Sequence, residues 1–122
     1  MHTLFTRGTK LTSVQKTLLN AAGLYRSGAM LKEGSQKLDL LRQEIDNGLA
    51  TQNLKESVRA LEAMNMIRVA QFVVMSALCR EESRGAHQRL DFPETNDEAW
   101  LSHLEIRKKE GNIEIIKQLI KA

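Results

Sequence analysis

The sequence predicts an all-α fold: a three-helix bundle, spectrin-repeat-like and running up-down-up, with a short C-terminal helix and a small β-hairpin. Composition points there first. Apolar residues make up 42% of the 122-residue chain and aromatics only 4%, so the core must be built from Leu, Ile, Val, Met and Ala. Those side chains suit packed helices better than a sandwich or barrel. Apolar residues recur at helical spacing in long runs, and start and stop signals divide those runs into three. A chain of this length is one domain, able to bury roughly two thirds of its unfolded surface. Residues 1–11 are expected to be a flexible lead-in and residues 12–122 the helical domain.

The first helix is expected from Thr12, where Thr12-x-x-Gln15 has the form of a capping box, to about Ala22, with Gly23 ending it. Ser27-Gly28 breaks the chain. The second helix then covers Ala29 to Asp46, with Leu31, Leu38, Leu41 and Ile45 on one face. Asn47-Gly48 stops it, and a polar connection runs from Leu49 to Gln52. The third helix is expected from Asn53, a second capping box with Glu56, to Glu82. Its polar residues Arg59, Glu62, Asn65, Arg68 and Gln71 circle the axis, because a step of three falls short of a full turn by about 60°. From Val69 onward it is apolar nearly all round, as a central helix is. Two partner helices cannot cover all of that surface, so part of it should meet another domain. Beyond Pro93, Thr95-x-x-Glu98 predicts a short helix to His103. Leu104 to Ile116 then reads as a hairpin turning at Glu110-Gly111-Asn112, which must dock on the bundle because an isolated hairpin is marginal.

Several function classes are disfavoured. Eighteen basic residues are interspersed with fifteen acidic ones, giving a net charge of +3. The densest basic run is Arg107-Lys108-Lys109, and no aromatics alternate with basic residues as stacking platforms, so no nucleic acid is expected. The charge-free apolar window Val69–Cys79 is 11 residues long, whereas spanning a bilayer takes about 20; no direct membrane insertion is expected. Residues Met1 to Lys10 lack the apolar stretch of a secretory signal. A single cysteine, Cys79, excludes an internal disulfide and fits a reducing compartment, and its apolar neighbours predict a buried side chain. The expected location is the cytoplasm, with any membrane contact made through a partner subunit.

The most informative stretch runs from Glu82 to Trp100. Between Glu81 and Arg89 it sets two carboxylates, two guanidiniums and an imidazole around Gly85. Such a cluster is costly unless its members pair. The expected network joins Glu81, Glu82 and Asp91 with Arg80, Arg84 and Arg89 over a turn at Gly85, which should need a positive φ. His87 and Arg89 should point to opposite sides of that turn, and Trp100 should anchor the loop to the bundle. Metal chemistry is not expected: His87, His103, Glu82 and Asp91 lack the spacing of helical ligand motifs. Nor is hydrolysis, because Ser83 with His87 lacks a nucleophile elbow.

The same residues carry a resemblance. Glu82-Ser83-Arg84-Gly85-Ala86-His87, then Arg89, Asp91-Phe92-Pro93-Glu94, Asn96-Asp97, Trp100 and His103, resemble the C-terminal signature of the succinate dehydrogenase and fumarate reductase flavoprotein family, which includes L-aspartate oxidase. Gly23-Leu24-Tyr25-Arg26 resembles the G-[IVL]-x-R turn closing that domain's first helix. Leu40 to Asp46 is similar to its second helix, particularly in L-aspartate oxidase, and Leu61 to Arg80 to the long helix leading into the signature. Leu19 departs from the tryptophan of many members. The resemblance covers roughly residues 12 to 104. It implies a parent enzyme that uses FAD to oxidise or reduce a four-carbon dicarboxylate, and FAD-binding and capping domains as this domain's partners. It implies no catalytic residue here, and the chain lacks the G-x-G-x-x-G run of a dinucleotide site, so no cofactor is expected in this chain. Glu82, Ser83, Arg84, Gly85, His87, Arg89 and Asp91 are the expected interdomain interface, with Arg84 paired either across it or within the domain to Glu81 or Asp91. The rival from another class is a standalone helical adaptor that binds a protein partner through the same loop.

Overall fold

The computed structural model describes residues 9–47 and 53–120. It contains helices α1 (Thr9–Ala22), α2 (Gly28–Asn47), α3 (Leu54–Cys79) and α4 (Asp97–Trp100), followed by strands β1 (Ser102–Lys109) and β2 (Asn112–Leu119). Of the lead-in expected over residues 1–11, residues 1–8 lie outside the described residues, as do the stop at Gly48 and the connection 49–52, whereas residues 9–11 are the first of α1. The fold is mostly helical, but all-α is too narrow a description: β1 and β2 form an antiparallel sheet of eight-residue strands.

Every pair among α1, α2 and α3 packs together. Val14 and Ala21 enter the core from α1, Leu31, Leu38 and Ile45 from α2, and Ala63, Ile67, Ala70, Val74 and Ala77 from α3. The α2 residues recur every seven positions and the α3 residues every three or four, so each helix presents one apolar stripe inward. Fully burying each large aliphatic side chain contributes about 1.5–3 kcal/mol. Small residues dominate the buried face of α3, which lets its backbone approach its neighbours closely. Gln71 crosses this boundary by donating to Asp39 Oδ1 on α2 at 2.8 Å.

By length and composition α3 could cross a membrane, with 26 residues and a window of mean hydropathy 1.3. Its buried stripe nevertheless lies in the core shared with α1 and α2. Its opposite side is apolar too: Leu54 is 81% exposed, Leu61 63% and Val69 60%, with Val58 and Val73 also exposed. The expectation of apolar surface left uncovered by the bundle is met there.

Several boundaries differ from those expected. Helix α1 begins at Thr9, three residues before Thr12. Asn53 caps α3 as expected, its Oδ1 accepting from the Glu56 amide at 2.9 Å. The helix stops at Cys79 rather than Glu82, because Arg80 turns extended and Glu82 is drawn into the loop. Cys79 is exposed, not buried. Asn96, not Thr95, caps α4, accepting from the Ala99 amide at 3.1 Å, and α4 ends at Trp100. His103 belongs to β1. The hairpin is longer than expected and turns on two residues, Glu110 and Gly111 (φ 50° and 81°), with Lys109 paired to Asn112. Positive φ at both positions matches strand twist. The ladder extends one rung beyond the strands, where Ile120 donates to the Leu101 carbonyl at 3.0 Å.

Candidate functional site

The segment from Arg80 to Asp97 lies across the ends of the helices, and buried polar groups hold it. Glu82, with a fully buried side chain, is the centre. Arg84 donates to both its oxygens, from Nε at 3.0 Å and Nη2 at 3.1 Å. Arg80 donates to Glu82 Oε2, and the Asn96 amide to Oε1 at 2.9 Å. Burial pushes this carboxyl upward, but the hydrogen bonds from Arg84, Asn96 and Arg80 outweigh it and hold the pKa at about 2. Arg84 also reaches Asp97 Oδ1 at 2.6 Å. Its partners are therefore Glu82 and Asp97, not Glu81 or Asp91. Glu81 is exposed and takes part in no ion pair among the described residues.

Arg80 fastens the loop to the hairpin, donating to the carbonyls of Trp100 at 3.1 Å and Ser102 at 2.6 Å. Its guanidinium lies 5.0 Å from the Trp100 ring centre, and the Lys117 ammonium of β2 lies 3.9 Å from it. Trp100 thus anchors the loop as expected, but as a buried ring in contact with two cations rather than a purely apolar plug.

A second cluster spans two helix ends. Arg89, 3% exposed, donates from Nη1 to the carbonyls of Leu78 at 2.9 Å and Arg80 at 3.2 Å, at the C-terminus of α3. Its other side grips Asp91, with Nε to Oδ1 at 3.0 Å and Nη2 to Oδ2 at 2.6 Å. Asp91 Oδ2 accepts the Gly28 amide, the first of α2, at 2.9 Å. A cation at a helix C-terminus and an anion at an N-terminus each oppose the local dipole. The Arg89 hydrogen bonds hold the Asp91 carboxyl at about 2. A Cβ at residue 28 would lie 2.9 Å from Asp91 Oδ2 and 3.0 Å from Arg89 Nη2, so a side chain there requires the pair to shift.

Between the clusters, the Arg84 and His87 backbones exchange hydrogen bonds of 2.7 and 2.9 Å around Gly85, whose φ of 56° is the left-handed value its sequence position suggested. Ser83 is a buried brace. Its hydroxyl accepts the Arg89 amide at 2.9 Å and donates to the Phe92 carbonyl at 2.8 Å, while its own carbonyl accepts from Thr95 Oγ1 at 2.6 Å. His87 faces elsewhere, so no nucleophile–base pair forms. Its Nδ1 meets Arg26 Nη1 at 3.2 Å, and its Nε2 meets the Arg80 carbonyl at 3.0 Å. A guanidinium only donates, so Nδ1 accepts and Nε2 carries the proton: the ring is neutral. Burial, then the Arg26, Arg89 and Arg80 charges, outweigh the Arg80 carbonyl and push its pKa below 6.5. His87 and Arg89 do not diverge across the turn as expected; both end on the Arg80 carbonyl.

All seven expected interface residues therefore lie in one connected loop. Sequence reasoning left out Arg26 and Gly28, which join that loop from the α1–α2 link. Arg26 exchanges backbone hydrogen bonds with Gln88 and Leu90; the available signal was the Gly23-Leu24-Tyr25-Arg26 turn.

Fold and loop together define a class: a helical domain with a charge-stapled loop across its helix ends and an open apolar face. The chain belongs to the family described as the fumarate reductase flavoprotein C-terminal domain, whose model matches residues 11–121. It is 40% identical over 108 residues to the fumarate reductase flavoprotein subunit of Mycobacterium tuberculosis, covering 84% of this chain and 18% of that one. To the succinate dehydrogenase flavoprotein subunit of Rickettsia conorii it is 36% identical over 95 residues, covering 74% and 16%. Among solved structures, adenylylsulfate reductase from Archaeoglobus fulgidus superposes with a TM-score of 0.82 at 25% identity, over 93% of this chain and 19% of that one. Quinol fumarate reductase of E. coli shares the fold, with a TM-score of 0.79 at 23% identity, over 94% and 21%. The chain thus spans less than a fifth of the curated relatives it matches.

Proposed function

We propose that this chain is the structural C-terminal domain of an FAD-dependent oxidoreductase of succinate dehydrogenase, fumarate reductase or L-aspartate oxidase type, acting on a four-carbon dicarboxylate. The observation that carries this reading is the family match over residues 11–121 inside relatives of which the chain spans only 18%. The described residues do not fit a dinucleotide themselves. The two strands form a hairpin rather than a strand–helix–strand unit, and none of the seven glycines builds a G-x-G-x-x-G turn. The cofactor belongs to an FAD-binding domain, with a capping domain beside it, and this domain's work is to pack on that body and hold its shape. Of the loop, the accessible Arg84, Gly85, His87 and Asp91, with the exposed face of α3, supply the contact, while the buried Glu82, Ser83 and Arg89 brace it from inside the domain. Short links between the three long helices support antiparallel neighbours, an up-down-up bundle. The whole enzyme works in the cytoplasm, reaching a membrane only through a partner subunit.

Two measurements test this. The purified chain alone should show no visible flavin absorbance; a yellow preparation with bound FAD overturns the structural role. Arg84→Ala in the whole subunit should lower flavin retention or melting temperature while leaving turnover per bound flavin unchanged. Unchanged melting and flavin content would remove the interface role.

A further inference from the structure

Three of the four arginines at the loop are matched by carboxylates: Arg80 by Glu82, Arg84 by Glu82 and Asp97, Arg89 by Asp91. Arg26 is the exception. Its Nε donates to the Gly23 carbonyl at 3.2 Å and its Nη1 to His87, and no carboxylate among the described residues faces it. Burial pushes its pKa down. Arg26 lines a groove of about 420 Å³ between α3, β1 and the loop, walled by Phe72, Val73, Leu104 and Ile106, and no acidic residue among the described residues lines it. Val69 and Val73 belong both to this groove and to the exposed apolar face of α3, so the two surfaces are continuous.

We infer that this groove receives an acidic side chain set beside an apolar one, presented by the FAD-binding part of the same subunit, with Arg26 pairing the carboxylate. This rests on the reading above. A partly buried guanidinium lacking a counter-ion beside an apolar wall is complementary to that pair: the carboxylate takes the free Nη2 donors and the apolar neighbour covers the wall. His87 is the positioning residue, since its neutral Nδ1 holds the guanidinium plane.

The probe is acetyl-Leu-Leu-Glu-Leu-amide against its glutamine twin, titrated into the 122-residue chain with the Arg26 and His87 resonances observed. The glutamate peptide should bind about tenfold more tightly, as a charge-assisted pair at a partly exposed site would give. Arg26→Gln should abolish the preference and Arg26→Lys should keep part of it; equal binding of the twins, or a preference that survives Arg26→Gln, overturns the proposal. The occupant is tested with phenylglyoxal, which should modify Arg26 in the chain alone and about tenfold more slowly in the whole subunit. Equal rates with the α3 face shielded from hydrogen exchange would sink only the groove. Equal rates with that face still open would sink the packing reading as well.

Discussion

Arg89 and Asp91, two positions apart, join the last carbonyls of α3 to the first amide of α2 through one bidentate ion pair. The pair satisfies groups at two helix ends with no backbone partner of their own. Arg89→Met would leave those carbonyls without their donor and Asp91 without its counter-ion, so the urea midpoint should fall by the equivalent of about 1–3 kcal/mol, less than for a fully buried pair because the Asp91 side chain is 36% exposed. Asp91→Asn keeps an acceptor for Gly28 and should cost less. Equal losses would mean that the charge of Asp91 carries the whole contribution and that the bonds from Arg89 to the α3 carbonyls add nothing.

Gly28→Ala separates intrinsic propensity from packing. Alanine favours helix over glycine by about 1 kcal/mol, yet its Cβ would meet Asp91 Oδ2 at 2.9 Å and Arg89 Nη2 at 3.0 Å. The variant should melt lower than the parent. A higher melting temperature would show that the Arg89–Asp91 pair moves aside freely.

Two acid transitions are expected. The folded pKa of Glu82 is about 2 against 4.5 unfolded, and that of Asp91 about 2 against 3.8. Their stabilisation is present above the unfolded values and is lost as pH falls towards 2, where the unfolded chain binds more protons. His87 has a depressed folded pKa, so its contribution is complete above 6.5 and begins to fall as pH drops below it. Melting temperatures from pH 8 to pH 2 should show a shallow decline below 6.5 and a steeper one below 4.5. Glu82→Gln should flatten the second and His87→Gln the first.

The open face of α3 should make the isolated chain bind hydrophobic dye or self-associate. Leu61→Lys with Val69→Lys should suppress both with little change in melting temperature, since both side chains are largely exposed. A parent chain that is monomeric and dye-silent would favour the standalone adaptor instead.

Helix spans were legible because they rest on local signals. Apolar periodicity placed Leu31, Leu38 and Ile45 on one face, Asn53 announced its cap, and Gly85 its left-handed backbone. The end of α3 was not legible. The run from Val69 through Cys79 favours helix well past residue 79, and only the buried site that receives Glu82 from Arg80, Arg84 and Asn96 unwinds it. Cys79 was misread for a similar reason: apolar neighbours on a helix apolar all round do not say which side is covered.

By itself the sequence determined the helical character of the chain, its capping at Asn53, the need for charge pairing between Arg80 and Asp91, and the family its signature resembles, because each depends on residue type and near-neighbour spacing. The tertiary structure alone decided which charges meet. Arg84 prefers Glu82 and Asp97, Arg89 reaches back to α3 and across to α2, and Arg26 is left without a carboxylate among the described residues. Those choices depend on distances between segments as far apart as Gly28 and Asp91, which only the packing of the helices brings together.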